Sequence, residues 1–249
     1  MGMVANDAFD LRRDRERAPG RPLPSGRISL RAAVVLAFTL GALSLGIAAV
    51  LGVLPIAAAI ALAALLYDVG AKDIPFAGNL LMGGCRGLNF VLGAAAVLGP
   101  GPALGERSVC MGAGILAIFI AGVTAASRLE DARFERRRLL LVAAALGVVP
   151  GALLALAWRS LLAWANAIVL VATLGASLRA ALGHRGPHHP AQVFVRNALG
   201  GLYFVDAGIV IAFSPPGTAV LPAALVLYLL ALLAWRWKVR WMERGSPGS

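Results

Sequence analysis

Residues 31–50, RAAVVLAFTLGALSLGIAAV, and residues 53–67, VLPIAAAIALAALLY, decide the fold. Charge enters the first only at its edge, as Arg31, and the second has none. At about 1.5 Å per helical residue, some 20 such residues cross the roughly 30 Å hydrocarbon layer of a bilayer. Neither stretch alternates apolar with polar residues, which excludes a membrane β-barrel strand. Pro55 marks the break between the two helices, because proline cannot donate to the preceding turn and clashes with it. Outward from this pair, further apolar stretches fall at 79–98, 109–127, 139–157, 160–181, 193–213 and 217–235. The expected architecture is all-α, a transmembrane bundle of about eight spans.

Composition agrees. The 249 residues are 59% hydrophobic and 14% charged, whereas soluble domains run near 45–50% and about 25%. The 23 Lys and Arg against 12 Asp and Glu, a net charge of +11, would point to nucleic acid in a soluble chain. Location argues otherwise. With alternating spans, all basic residues but Arg107 and Arg159 fall on one side. Positive connections stay in the cytoplasm, so both termini are expected there, in a multi-pass protein of the cytoplasmic membrane. The lipid bilayer is the expected partner, and nucleic acid is not. Residues 1–30 are polar and basic where a secretory leader would be apolar, so no cleaved segment is expected. The expected organisation is one membrane-embedded domain over 1–249: a cytoplasmic acidic motif and loop at 1–30, the bundle at 31–235, and a basic tail at 236–249. Cys85 and Cys110 lie toward opposite ends of their spans, which predicts two buried thiols and no disulfide.

The acids carry the functional information. In NDAFDLRRD, residues 6–14, Asp7, Asp10 and Asp14 stand at i, i+3 and i+7, and Asn6 is one turn before Asp10. On a helix these share one face, where like charges repel. Two arrangements relieve that: a hard cation such as Mg²⁺ among the oxygens, or neutralisation by the neighbouring arginines. The segment continues as PGRPLPSG, residues 19–26, whose prolines stiffen a loop that presents Arg21 beside the acids. Further on, Tyr67 ends an apolar run and Lys72 follows five residues later. In CRGLN, residues 85–89, Arg86 is a guanidinium within or near the membrane, where it is costly and usually paired. A second cluster, RLEDARFERRR at 128–138, sets Asp131 and Glu135 one helical turn apart.

The order N-D-x-x-D-x-x-x-D followed by R-P-L-P-S-G resembles the first aspartate motif of the UbiA family of intramembrane prenyltransferases. Tyr67 and Lys72 resemble the family's Tyr/Lys element, and CRGLN resembles its EboC-like subgroup. The resemblance implies Mg²⁺-dependent transfer of an isoprenyl group from an isoprenyl diphosphate to an aromatic or other lipophilic acceptor. It implies metal binding by Asn6, Asp7, Asp10, Asp14, Asp131 and Glu135. It implies diphosphate contacts from Asn6, Arg21, Tyr67, Lys72, Arg86 and Arg128, and catalytic roles for Asp7, Asp10, Tyr67, Lys72 and Asp131. In the second motif Arg128 stands where the family carries an acid, Asp131 keeps the middle position, and Glu135 replaces the last aspartate. The family's first motif ends its second transmembrane helix, so this chain is expected to lack the first one and a half helices of the fold. That departure and Arg128 leave a second reading open, a degenerate UbiA-like protein that binds or transports a lipid or metabolite.

Three other groups take structural readings. Asp206 lies inside a span and is expected to partner a group on another helix. His184, His188 and His189 belong to a Gly/Pro-rich loop, and Trp235, Trp237 and Trp241 to an interfacial aromatic belt.

Overall fold

The computed structural model describes residues 2–74, 76–130, 135–184 and 189–214, together with 222, 226–230 and 233. Among these there is no strand. The helices are α1 (Gly2–Phe9), α2 (Leu11–Arg17), α3 (Leu30–Val50), α4 (Leu54–Val69), α5 (Ala77–Leu98), α6 (Pro100–Gly105) and α7 (Arg107–Ser127). After a 3₁₀ turn at Arg128–Glu130 come α8 (Arg136–Leu146), α9 (Val148–Leu156), α10 (Leu161–Leu182), α11 (Pro190–Ala198) and α12 (Leu202–Phe213).

Six helical segments are long and apolar enough to cross a membrane: Leu30–Val50, Ala77–Leu98, Arg107–Glu130, Arg136–Leu156, Leu161–Leu182 and Pro190–Phe213. The 16-residue α4 is apolar but shorter. Seven of the expected spans thus have helical counterparts, and the chain is a multi-span helical membrane protein. The expected eighth span, 217–235, lies for the most part outside the described residues, and the tail, 236–249, Asp131, His188, Trp235, Trp237 and Trp241 lie wholly outside them. Large apolar side chains such as Phe38, Leu62, Leu80, Val97 and Leu161 are exposed along the spans. Lipid tolerates that surface and water does not.

Local chemistry sets the helix ends. Ser29 caps α3, its hydroxyl accepting from the Ala32 amide at 3.2 Å. Gly52 then adopts φ +70°, a left-handed turn that favours glycine, and Pro55 fits the first turn of α4, where its missing donor costs nothing.

The chain forms two compact units, Met1–Ala117 and Ile118–Ser249. In the first, α4 packs along α5, and α1 lies against both α3 and α4. Its core is built of small and branched residues, including Ala48, Val53, Ile56, Val91 and Ala95. Gly87 allows α5 and α7 to approach: a Cβ there would sit 2.9 Å from the Ala113 carbonyl oxygen. In the second unit α10 packs against α8, α9, α11 and α12. Its buried Asn166 is fully engaged, donating to the Phe204 carbonyl at 3.1 Å and accepting from the Tyr228 hydroxyl at 2.8 Å. A polar group in hydrocarbon needs such internal partners.

Two sequence expectations are corrected. Both cysteines are free thiols, but Cys110 is exposed and Cys85 only half-buried; Cys110 reaches the Leu104 carbonyl at 3.3 Å. Glu135 is not helical: it is the extended N-cap residue of α8, with φ −115° and ψ 104°. The one-turn spacing assumed an unbroken helix, and the described chain leaves α-helix after Ser127.

Candidate functional site

The acidic segment is helical, as its spacing suggests, but bends at Asp10, which has φ −88° and ψ 4° between α1 and α2. The backbone ladder carries through, with Asp10 N to Asn6 O and Asp14 N to Asp10 O both at 2.8 Å. Asn6, Asp10 and Asp14 therefore recur one turn apart along one side. Each meets a partner from elsewhere in the fold. Asn6 Nδ2 donates to Asp68 Oδ1 at 2.8 Å, and Lys72 Nζ donates to Asp10 Oδ1 at 2.6 Å. Both pairs are separated by 62 residues: Asn6 of α1 meets Asp68 near the end of α4, and Asp10, just after α1, meets Lys72 in the 3₁₀ turn Ala71–Asp73 that follows α4. Asp14 Oδ2 accepts from Arg21 Nη1 at 2.8 Å.

These contacts have different weights. The Lys72 and Asp10 side chains are 13% and 21% exposed, so their ion pair is shielded from solvent. Arg21 is 56% exposed, and a pair of that kind is worth about 0–1 kcal/mol. The loop carrying Arg21 is nonetheless well fixed. Arg27 donates to the Gly20 carbonyl at 2.6 Å and to Ser25 Oγ at 3.1 Å, Ser25 Oγ donates to the Pro22 carbonyl at 3.2 Å, and Leu23 is buried. Proline stiffness and these bonds together hold the loop beside the acids.

Beneath the segment is a cavity of about 950 Å³. Asn6, Asp7, Arg21, Tyr67 and Asp68 line its polar end. The rest of the wall is mostly Ala, Gly, Leu, Ile and Val from α3, α4 and α5. Along α4 the lining runs from Asp68 back to Ala57 and on to Val53, about 22 Å at 1.5 Å per residue. An elongated apolar slot with a charged mouth suits an amphiphile whose head is anionic or cation-bound.

Asp7 lines the mouth and is exposed, with no ion-pair partner among the described residues. The donors at this end are carboxylate and amide oxygens, the hard ligands Mg²⁺ prefers, and Mg²⁺ typically takes one or two carboxylates and completes its shell with water and substrate phosphate. No group of three or more His, Cys, Asp or Glu residues disposed to hold a metal occurs among the described residues. The fit is therefore to a cation shared with a ligand, not to a closed protein cage.

Arg86 is half-buried on α5, whose cavity-lining residues are Met82, Cys85, Asn89, Leu92, Gly93 and Ala96. In the second unit Arg128 is half-buried in the 3₁₀ turn. Glu135 pairs with Arg138 at 2.7 Å, with side chains 51% and 59% exposed. His189 caps α11, its Nδ1 accepting from the Ala191 amide at 3.2 Å. Asp206 is half-buried in α12.

Sequence reasoning missed Asp68. It is 6% exposed, lines the cavity and holds Asn6. A signal existed: Asp68 is an acid ending an apolar helix, beside Tyr67 and one turn before Lys72. Acids in such places are costly and mark function.

A family model described as the UbiA prenyltransferase family matches residues 1–196. The digeranylgeranylglyceryl phosphate synthase of Methanopyrus kandleri is 37% identical over 105 residues, 41% of this chain and 39% of the relative. That of Methanosarcina barkeri is 38% identical over 98 residues, 38% of this chain and 33% of the relative. That of Halobacterium salinarum strain R1 is 42% identical over 101 residues, 40% of this chain and 37% of the relative. The matched stretch thus spans between a third and two fifths of each relative's length. No solved structure matches. With the family model covering more than three quarters of the sequence and the acidic motif, loop and Tyr/Lys element all in place, the chain belongs to the UbiA prenyltransferase family.

Proposed function

We propose that this protein transfers an isoprenyl group from an isoprenyl diphosphate to a lipophilic acceptor within the membrane, with Mg²⁺ as cofactor. The observation that carries this reading is the cavity: an apolar slot of about 950 Å³ whose mouth gathers Asn6, Asp7, Arg21, Tyr67 and Asp68. An isoprenyl diphosphate has the same division, a hydrocarbon chain joined to a multiply charged anionic head.

In this reading Arg21 and Lys72 bind the diphosphate oxygens, sharing their present carboxylate partners with the ligand. The Tyr67 hydroxyl orients the head. Asn6, Asp7 and Asp10 would hold Mg²⁺, which when bound neutralises charge on the departing pyrophosphate. The donor's C1–O bond breaks, pyrophosphate leaves with the bonding electrons, and a bond forms from C1 to the acceptor, which loses a proton. The apolar walls from α3, α4 and α5 keep water from the electron-poor carbon. The acidic segment faces the cytoplasm, with both termini on that side, as the basic connections require. We place the protein in the cytoplasmic membrane and read residues 1–249 as one prenyltransferase-like domain.

Arg128 in the second motif and the pairing of Glu135 with Arg138 favour a second reading, a lipid or metabolite carrier that has lost the chemistry. Incubating the purified protein with a radiolabelled isoprenyl diphosphate and a membrane-lipid extract separates the two. The enzyme forms labelled lipid with Mg²⁺ and none with a chelator; a carrier retains the intact diphosphate under both conditions.

A further inference from the structure

Asp68 lies outside the N-D-x-x-D motif and is the one charged residue less than a tenth exposed among the described residues. Its Oδ1 accepts from Asn6 Nδ2 at 2.8 Å, and no basic side chain pairs with it among the described residues. A buried carboxylate is normally matched by a cation or several donors. Here a neutral amide fills that place, which is costly unless the pairing serves another end.

The end follows from donor and acceptor chemistry. An ionised carboxylate can only accept, whereas an amide has one oxygen acceptor and one NH₂ donor. Asp68 can therefore receive only the nitrogen of Asn6. That leaves the carbonyl Oδ1 turned the other way. Asn6 lines the cavity mouth beside Asp7, and an amide oxygen is a ligand for a hard cation while an amide NH₂ repels one. Had residue 68 been Asn, Gln or Ser, it would have accepted or donated, and Asn6 would have been free to present its nitrogen. The match extends one turn further, where Asp10 meets Lys72 in the same register. The end of α4 and the 3₁₀ turn after it thus hold two polar residues of the motif, one turn apart.

We infer that Asp68 is a positioning residue that fixes the amide of Asn6 so that its oxygen faces the cation and diphosphate. This rests on the function proposed above, and it adds a residue from a different helix to that site. The negative charge of Asp68 also favours a cation at the mouth, so the test must separate orientation from charge.

Exchange of the two residues does so. Asp68→Asn removes one charge and the orientation constraint. Asn6→Asp alone sets two carboxylates against each other. The double variant Asn6→Asp/Asp68→Asn keeps the net charge and restores a donor facing an acceptor, with an oxygen again turned to the mouth. The readout is calorimetric binding of inorganic pyrophosphate to the detergent-solubilised full chain across a Mg²⁺ titration, supported by Mn²⁺ binding measured by electron paramagnetic resonance. Both single variants are expected to raise the half-saturating Mg²⁺ concentration at least tenfold, and the double variant to return it within about threefold of the starting protein. If one single variant does not assemble, the other against the double still gives the answer. An unchanged Mg²⁺ requirement in Asp68→Asn, or a double variant no better than the singles, overturns the inference. Asp7→Ala and Asp10→Ala, measured in parallel, report on the function itself. If they leave Mg²⁺-dependent pyrophosphate binding intact, that reading fails; if they abolish it while Asp68→Asn does not, only the positioning role fails.

Discussion

The two acidic segments, 6–14 and 130–138, have acids at helical spacing in the same arginine-rich company, yet they are held differently. In the first, Asn6 and Asp10 find partners 62 residues away, on the end of α4 and in the 3₁₀ turn after it, and a cavity opens beneath. In the second, Glu135 precedes α8 in extended backbone, makes no side-chain cap, and pairs with its own neighbour Arg138, both exposed. A local i,i+3 pair in solvent holds itself in place and nothing else. A pair closed across the fold fixes the distance between two helices and the direction of the side chains on them. Spacing names candidates for chemistry, and long-range pairing distinguishes those that a fold has built into a site.

The comparison is sharpened most by Asp10→Ala, which removes a carboxylate from the built site and leaves Lys72 without its partner. Transfer is expected to fall by a factor on the order of 10²–10³, the usual effect of deleting an electrostatic group at a reacting centre, while the protein still inserts in membranes; a transfer assay on purified protein checks it. Lys72→Met leaves Asp10 uncompensated in a shielded place, an effect of about 3 kcal/mol. Its apparent melting temperature should drop by roughly 6–12 °C, at about 2–4 °C per kcal/mol. Asp131→Ala, in the second segment, is expected to reduce transfer about tenfold, because Asp131 keeps the middle position of the second motif. Glu135→Gln should change transfer less than about twofold and stability by no more than about 1 kcal/mol. A Glu135 effect as large as that of Asp10 would break the distinction between the two segments.

Much of the fold was legible because hydropathy and helix length are local properties. The runs at 31–50, 79–98, 109–127 and 160–181 became helices within a few residues of their expected ends. Pro55 marked the break between α3 and α4 for a reason contained in that residue; the left-handed turn at Gly52 came only with the structure. The site was legible in part. Asn6, Asp7, Arg21 and Tyr67 do line one cavity, and Lys72 does reach Asp10. On the acidic face, Lys72 pairs with Asp10 and Arg21 with Asp14, and Asp7 has no ion pair among the described residues. Asp68 was passed over although an acid ending an apolar helix is a signal; its pairing with Asn6, which gives it its meaning, is recorded by no spacing. Glu135 was misplaced for the opposite reason: its spacing from Asp131 presumed a helix that the described backbone does not continue.

The central claim is that Asn6 and Asp7 at the cavity mouth, together with Asp10 one turn after Asn6, grip a diphosphate through Mg²⁺. An experimental structure with Mg²⁺ and a non-hydrolysable isoprenyl diphosphate analogue tests it most directly. The account predicts a cation about 2.1 Å from oxygens of these residues, the diphosphate against Arg21 and Lys72, and the chain running down the slot toward Val53. A diphosphate bound elsewhere, with Asp7 and Asp10 contacting neither it nor a metal, would contradict it.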